Sequence, residues 1–218
     1  MREHCQGSVL DVGGGDFFLT ARQKGIPFDR WTTLEVDRDR VLEVDDDRWS
    51  VVFGDGCDMD LPTDSYDTFL SIQVLEHVLE PLRMLQECAR VLRPGRFGIL
   101  LIPATSTMHL APHYYGNFSR FWVHEAMAHA GLEVVEFEEL GGVWSSAASH
   151  HLYFFLQAAR VAGMSDPSIK RPRAFWLLLP FQALYSLIAI PICLLFGLGD
   201  LAEEPNNHLV VVRKPAAA

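Results

Sequence analysis

Asp11, Gly13 and Gly15 fall within the ten residues VLDVGGGDFF, 9–18, where an apolar run breaks into an acid, three glycines and a second acid. Glycines at the end of a strand allow a sharp bend, and they let a ligand approach bare backbone and the positive end of the helix that follows. Such a loop suits a cofactor that carries a nucleoside. Two more acids stand where such a cofactor would need them. Glu35 ends the next apolar run, twenty positions after Gly15, and a carboxylate there can accept both ribose hydroxyls. Asp37 is an equal candidate, since strand-end register is uncertain by a residue or two. Asp55, in the GDG of 54–56, can accept from an adenine amino group. Each of these acids also has an ordinary reading as a solvated turn residue.

Proton chemistry points to two histidines. His77 in VLEHV and His113 in APHYYGNFSRF could each act as general base on a hydroxyl, a role worth about 10²–10⁴-fold in rate. The alternative for His77 is a helix-start histidine holding a backbone carbonyl; for His113 it is an ordinary loop residue. Tyr114, Tyr115 and Arg120 flank His113 and are candidates for substrate contact. No metal site is expected. His150 and His151 are adjacent and would point apart on a helix, and His109 and His113 have ligand-like spacing without a third partner.

The elements that would position these residues alternate between short apolar runs and helical patterns, the mark of a parallel sheet with crossover helices. Strands are predicted at 7–12, 31–36, 49–54, 66–72, 97–103, 132–139 and 208–214. A helix over 81–92 carries an apolar stripe and stops at the RPG of 93–95; another over 121–131 ends on a glycine suited to the left-handed position after a helix. The stretch from 142 to 205 reads as a helical insertion before the last strand of a single domain.

A net charge of −10 over 218 residues argues against a nucleic-acid surface, which needs a basic face. The four cysteines, Cys5, Cys57, Cys88 and Cys193, show no paired or zinc-like spacing and read as reduced thiols of a cytoplasmic protein. Met1 leads within ten residues into a core strand, so no signal peptide is expected.

Two cofactor classes use a glycine loop of this kind. A dinucleotide site needs G-x-G-x-x-G, and its third glycine falls on Phe18, so that fingerprint fails. The S-adenosylmethionine (SAM) loop is D-x-G-x-G-x-G; Asp11, Gly13 and Gly15 fill its first three fixed positions and Phe17 replaces the last. The ordered set VLDVGGGDF, TLEVD, VVFGDG, LPTDSYDTFLSIQVLEHV, RVLRPG and ILLIP resembles a class I SAM-dependent methyltransferase, closest to the type 11 small-molecule group. The resemblance runs from about residue 7 to 140 and resumes at the final strand.

The resemblance implies a Rossmann-like, doubly wound α/β sheet of seven strands with the last antiparallel. It implies SAM across the carboxyl ends of the first strands, contacted at Asp11, Gly13, Gly15, Glu35 (or Asp37), Asp55 and Gly56, with Gln73 beside the methionine end and His77 facing the methyl group. The acceptor would be a hydroxyl on a small or lipid-linked molecule, with a glycan as one option, because some glycan-cluster methyltransferases carry a similar pattern around His113. Phe17 would narrow the loop, packing on the cofactor or on the first helix. The contrasting reading is a SAM-fold scaffold that has lost catalysis.

The run from Ala174 to Gly199 has no charged residue and is long enough to cross a bilayer, which takes about 20 residues. Lys170, Arg171 and Arg173 precede it, and Pro180 and Pro191 are expected to interrupt it. A span would separate the last strand from its sheet. Three readings remain open: a peripheral membrane hairpin on the inner face of the membrane, an apolar lid over the substrate site, or a homodimer interface.

Overall fold

A computed structural model describes residues 1, 3–40 and 45–216. The chain runs β1 (Ser8–Val12), α1 (Phe17–Gln23), β2 (Arg30–Glu35), β3 (Trp49–Phe53), β4 (Tyr66–Ile72), α2 (Pro81–Val91), β5 (Leu92–Pro103), α3 (Arg120–His129), β6 (Glu133–Leu140), α4 (Val143–Ala158), α5 (Arg173–Phe196) and β7 (Asn207–Arg213). The strands form one seven-stranded sheet in the order β3-β2-β1-β4-β5-β7-β6, with β7 antiparallel. This is the architecture the sequence predicts.

The chain divides into two compact units. The first comprises Met1–Ile102, Ser119–Glu138 and Leu209–Ala218, and the second Pro103–Phe118 and Glu139–His208. In the first, β1 is buried on both faces, and Val9, Leu10 and Val12 account for its apolar run. It pairs in parallel with β2, Val12 opposite Leu34, and with β4, Asp11 opposite Leu70. The chain order therefore reverses between β1 and β4. In open α/β sheets such a switch point leaves a crevice outside the carboxyl ends of the strands.

Phe18 occupies the place where a dinucleotide loop would have its third glycine. It is 1% exposed, stacks on Trp49 at 5.7 Å and meets Phe28 and Trp31 edge-on at 5.7 and 6.0 Å. The large ring fills the space in which a glycine would let helix and strand pack closely. Phe17 packs against the same core, 6.3 Å from Trp31 between ring centres.

RPG behaves differently from expectation. α2 does stop at Val91, but β5 begins at once and carries residues 93–95 as strand. The sheet absorbs them through a register shift between Tyr66 and Thr68, an irregularity that accommodates Pro94 without a ladder donor. Gly95, at φ +77°, donates its N–H to Lys214 O, and Lys214 N–H returns to Arg96 O. Arg96 joins Arg93 in ion pairs to Asp67, at 3.3 and 2.7 Å respectively.

In the second unit α4 and α5 pack antiparallel, with Trp144 against Phe196 at one end and His151 against Tyr185 midway. The first turn of α4 is capped from far along the chain by Asp200, whose carboxylate accepts the N–H groups of Trp144 and Ser145. α5 is one continuous helix through Pro180 and Pro191, against the expected interruption. Both prolines lie on its exposed side, so their rings and the freed carbonyls do not disturb the packing on α4.

Candidate functional site

In the first unit the candidate cofactor residues collect at the carboxyl ends of β1, β2, β3 and β4. Gly13 takes φ +66° and donates its N–H to Leu34 O, tying the loop after β1 to the end of β2. Gly15 takes φ +51°, and a Cβ there would meet nothing within 4 Å, so the loop presents open backbone. Asp11 is fully buried, and the Trp31 side chain is a hydrogen-bonding neighbour that works against the effect of that burial. Burial pushes its carboxyl up to about 7, and the charge of Glu35 adds to the effect.

The structure separates the two ribose candidates. Glu35 is 2% exposed; its Oε1 accepts the N–H of Val36 at 3.0 Å and of Asp37 at 3.3 Å, while its Oε2 is buried without a partner among the described residues. An orphaned buried carboxylate oxygen is costly unless something arrives to donate to it. Asp37 is exposed and caps its own turn through the N–H of Asp39. Asp55 is exposed too and accepts the N–H of Cys57 at 2.8 Å, shaping the loop after β3, where Gly56 lies against Met84. Gln73, just past β4, sits at φ +57° and donates its N–H to Leu101 O. A non-glycine residue held in the left-handed region marks a backbone constrained by its surroundings.

His77 closes a 3₁₀ turn after Gln73, with Nε2 3.8 Å from Glu76 Oε1. Glu76 is a residue the sequence reading passed over. It is 0% exposed, and burial pushes its carboxyl up to about 7. Its signal was an acid directly beside the candidate base in VLEHV. Gly14 was also passed over: a Cβ at that position would come within 1.9 Å of Asp11 Oδ2. The uninterrupted run of three glycines carried that information.

The remaining candidates divide between the units. Arg120 opens α3 in the first unit, exposed, with its guanidinium 5.7 Å from the ring centre of Phe137. His113, Tyr114 and Tyr115 belong to the second unit. There His113 Nδ1 lies 3.4 Å from Tyr115 Oη, and the Tyr114 hydroxyl sits 2.9 Å from both Ser106 O and Asn117 Oδ1. His109, His150 and His151 each place Nδ1 against an oxygen, that of Thr107 O, Ser146 O and Ser186 Oγ respectively. All four cysteines are free and buried.

The glycine cradle, the orphaned Glu35 oxygen and the acid after β3 fit a nucleoside cofactor without a pyrophosphate. Residues 10–102 match the model of the methyltransferase domain family. Over 172 residues the chain is 26% identical to 2-methyl-6-phytyl-1,4-hydroquinone methyltransferase 1, chloroplastic, of Oryza sativa subsp. japonica, covering 75% of this chain and 50% of that protein. The chain thus spans about half the length of the curated relatives it matches. Among solved structures it superposes on a chain of the Haloferax volcanii complex between the Trm112 methyltransferase activator and a methyltransferase, with TM-score 0.62, 19% identity, and 97% and 83% of the two chains covered. A SAM-dependent methyltransferase from Mesorhizobium loti superposes with TM-score 0.55 at 14% identity, covering 94% and 90%. These two likenesses show the fold. The sequence match over residues 10–102, the first five strands, adds a likeness in sequence to the class I SAM-dependent methyltransferases of the type 11 group.

Proposed function

We propose that the chain binds SAM at the carboxyl ends of β1 to β4 and catalyses methyl transfer to a hydroxyl of a small or lipid-linked acceptor close to a membrane surface. The observation that carries this reading is the buried carboxylate of Glu35, with one oxygen held by backbone N–H groups and the other orphaned beside the glycine loop. Glu35 would take the ribose hydroxyls, Asp55 the adenine amino group through its remaining lone pairs, and the backbone from Gly13 to Gly15 the methionine portion. Gln73 and Gly56 would border the same cofactor. SAM supplies a methyl group on a sulfonium, whose carbon–sulfur electron pair leaves with sulfur as the acceptor oxygen bonds to carbon.

His77 takes the hydroxyl proton in this scheme, and Glu76 beneath it positions the ring. His113 is the second candidate base, with Tyr114, Tyr115 and Arg120 as acceptor contacts. Positioning carries most of the rate, since aligned reactants gain roughly 7–11 kcal/mol. The rice relative is named for a hydroquinone with a phytyl tail, which favours a hydroxylated ring on an apolar chain over a glycan as the acceptor.

The test begins with calorimetric titration by S-adenosylhomocysteine. Glu35→Gln should weaken binding by about tenfold or more, the loss of a charge-assisted bond worth roughly 1.5–3 kcal/mol, while Asp37→Asn leaves it near wild type. Incubation with SAM and hydroquinones with and without prenyl tails should then yield product, and His77→Gln should slow it about 10²–10⁴-fold with S-adenosylhomocysteine affinity kept. Binding without product on any acceptor would move the assignment to a SAM-fold scaffold.

A further inference from the structure

We infer that the α4–α5 hairpin seats the chain on a lipid bilayer, with the outward face of α5 among the acyl chains. This rests on the reading of a membrane-proximal acceptor and names the partner of the second unit. The observation is an inverted pattern along α5. The positions it buries are small or polar: Ser186, Ala189 and Cys193 are 3%, 8% and 6% exposed. Ser186 Oγ lies 3.1 Å from His151 Nδ1 of α4. Its large apolar side chains face outward instead, among them Leu177 (75% exposed), Phe181 (70%), Leu187 (61%) and Leu195 (63%).

A surface helix of a water-soluble protein has the reverse arrangement. Small residues and a hydrogen bond at the helix–helix seam, with bulky aliphatics outside, are what lipid surroundings select, because apolar side chains gain nothing by turning inward there. After Arg173 at its start, the outward face of α5 offers Trp176 and Tyr185 as its exposed hydrogen-bonding side chains. A contact between protein copies would carry about one hydrogen bond per 100–200 Å² and a polar rim, which this face lacks. Acyl chains ask for neither.

Charge orients the hairpin. Arg160, Lys170 and Arg173 are exposed where α4 ends and α5 begins, suited to anionic headgroups, whereas Glu203 and Glu204 follow the far end of α5. At the basic end a cavity of about 220 Å³, lined in part by Met108, Phe154, Ile169 and Phe175, offers further apolar surface. Residues 197–206 join α5 to β7, a strand inside the sheet, which keeps the C-terminal end of α5 from crossing, and the basic residues at its start keep that end at the headgroups. The helix is embedded in one leaflet and does not cross.

The experiment is flotation of the full chain with vesicles of phosphatidylcholine and phosphatidylglycerol, beside vesicles of phosphatidylcholine alone, with quenching of tryptophan fluorescence by brominated acyl chains. Wild type should float with the anionic vesicles, and quenching should fall in Trp176→Phe. Leu177→Glu with Leu184→Glu should abolish flotation while circular dichroism and S-adenosylhomocysteine binding stay as in wild type. If that pair of substitutions prevents folding, the loss of quenching in Trp176→Phe decides alone. Absence of flotation, with a dimer by light scattering that the same substitutions dissociate, would overturn the proposal in favour of a second copy of the chain. Vesicle binding without S-adenosylhomocysteine binding would uphold docking and sink methyl transfer.

Discussion

The carboxylate of Asp11 lies so close over Gly14 that a Cβ on the glycine would stand 1.9 Å from Oδ2. The middle residue of the glycine run is therefore set by packing, and its neighbours by their positive φ angles. Gly14→Ala has to displace a fully buried acid that has no room to move. The expected cost is about 1–3 kcal/mol, as for other overpacked interiors. Thermal unfolding would register it, and calorimetry with S-adenosylhomocysteine should show weaker binding, since Asp11 shapes the same loop. A wild-type melting curve for the variant would count against the close contact.

Two buried carboxyls should make the cofactor-free protein less stable as pH rises. Burial lifts Asp11 from 3.8 to about 7 and Glu76 from 4.5 to about 7. Between the ordinary and the raised values the unfolded chain has lost these protons and the folded chain still holds them, so stability falls as pH climbs through that window and levels off above it. Each group contributes a slope of up to about 1.4 kcal/mol per pH unit. Melting temperatures measured from about pH 5 to about pH 8 should decline, and Asp11→Asn and Glu76→Gln should each flatten the decline. A flat wild-type profile would mean these acids are solvated.

Asp200 holds the start of α4 from 55 residues away. Its oxygens accept the N–H of Trp144 and of Ser145, each at 2.8 Å, and the Ser145 hydroxyl at 2.6 Å. Burial works to raise its carboxyl, but these donors prevail and hold it at about 2. Asp200→Ala leaves the first turn of α4 without its acceptor and should lower Tm by roughly 2–4 °C. Asp200→Asn, which keeps an oxygen acceptor, should recover part of the loss. Equal effects from both substitutions would assign the contribution to charge rather than to the cap.

The order of strands and helices was legible in the residues because burial on both faces of a parallel strand leaves a continuous apolar run, and crossover helices leave a spaced one. Phe18 excluded a dinucleotide loop by its size alone, and the loop glycines and acids marked the cofactor edge. Local pattern could not choose between Glu35 and Asp37. Both are acids at a strand end, and only the register of β2 buries the first and leaves the second in water. Nor could it assign Glu76, whose chemistry comes from burial, or place RPG inside a strand, which required the tail beyond β7 to pair with it. The run from Ala174 to Gly199 declared its hydrophobicity in composition. Which side chains face α4 and which face outward was decided by packing, because a helix apolar on every side has no periodic signal to orient it.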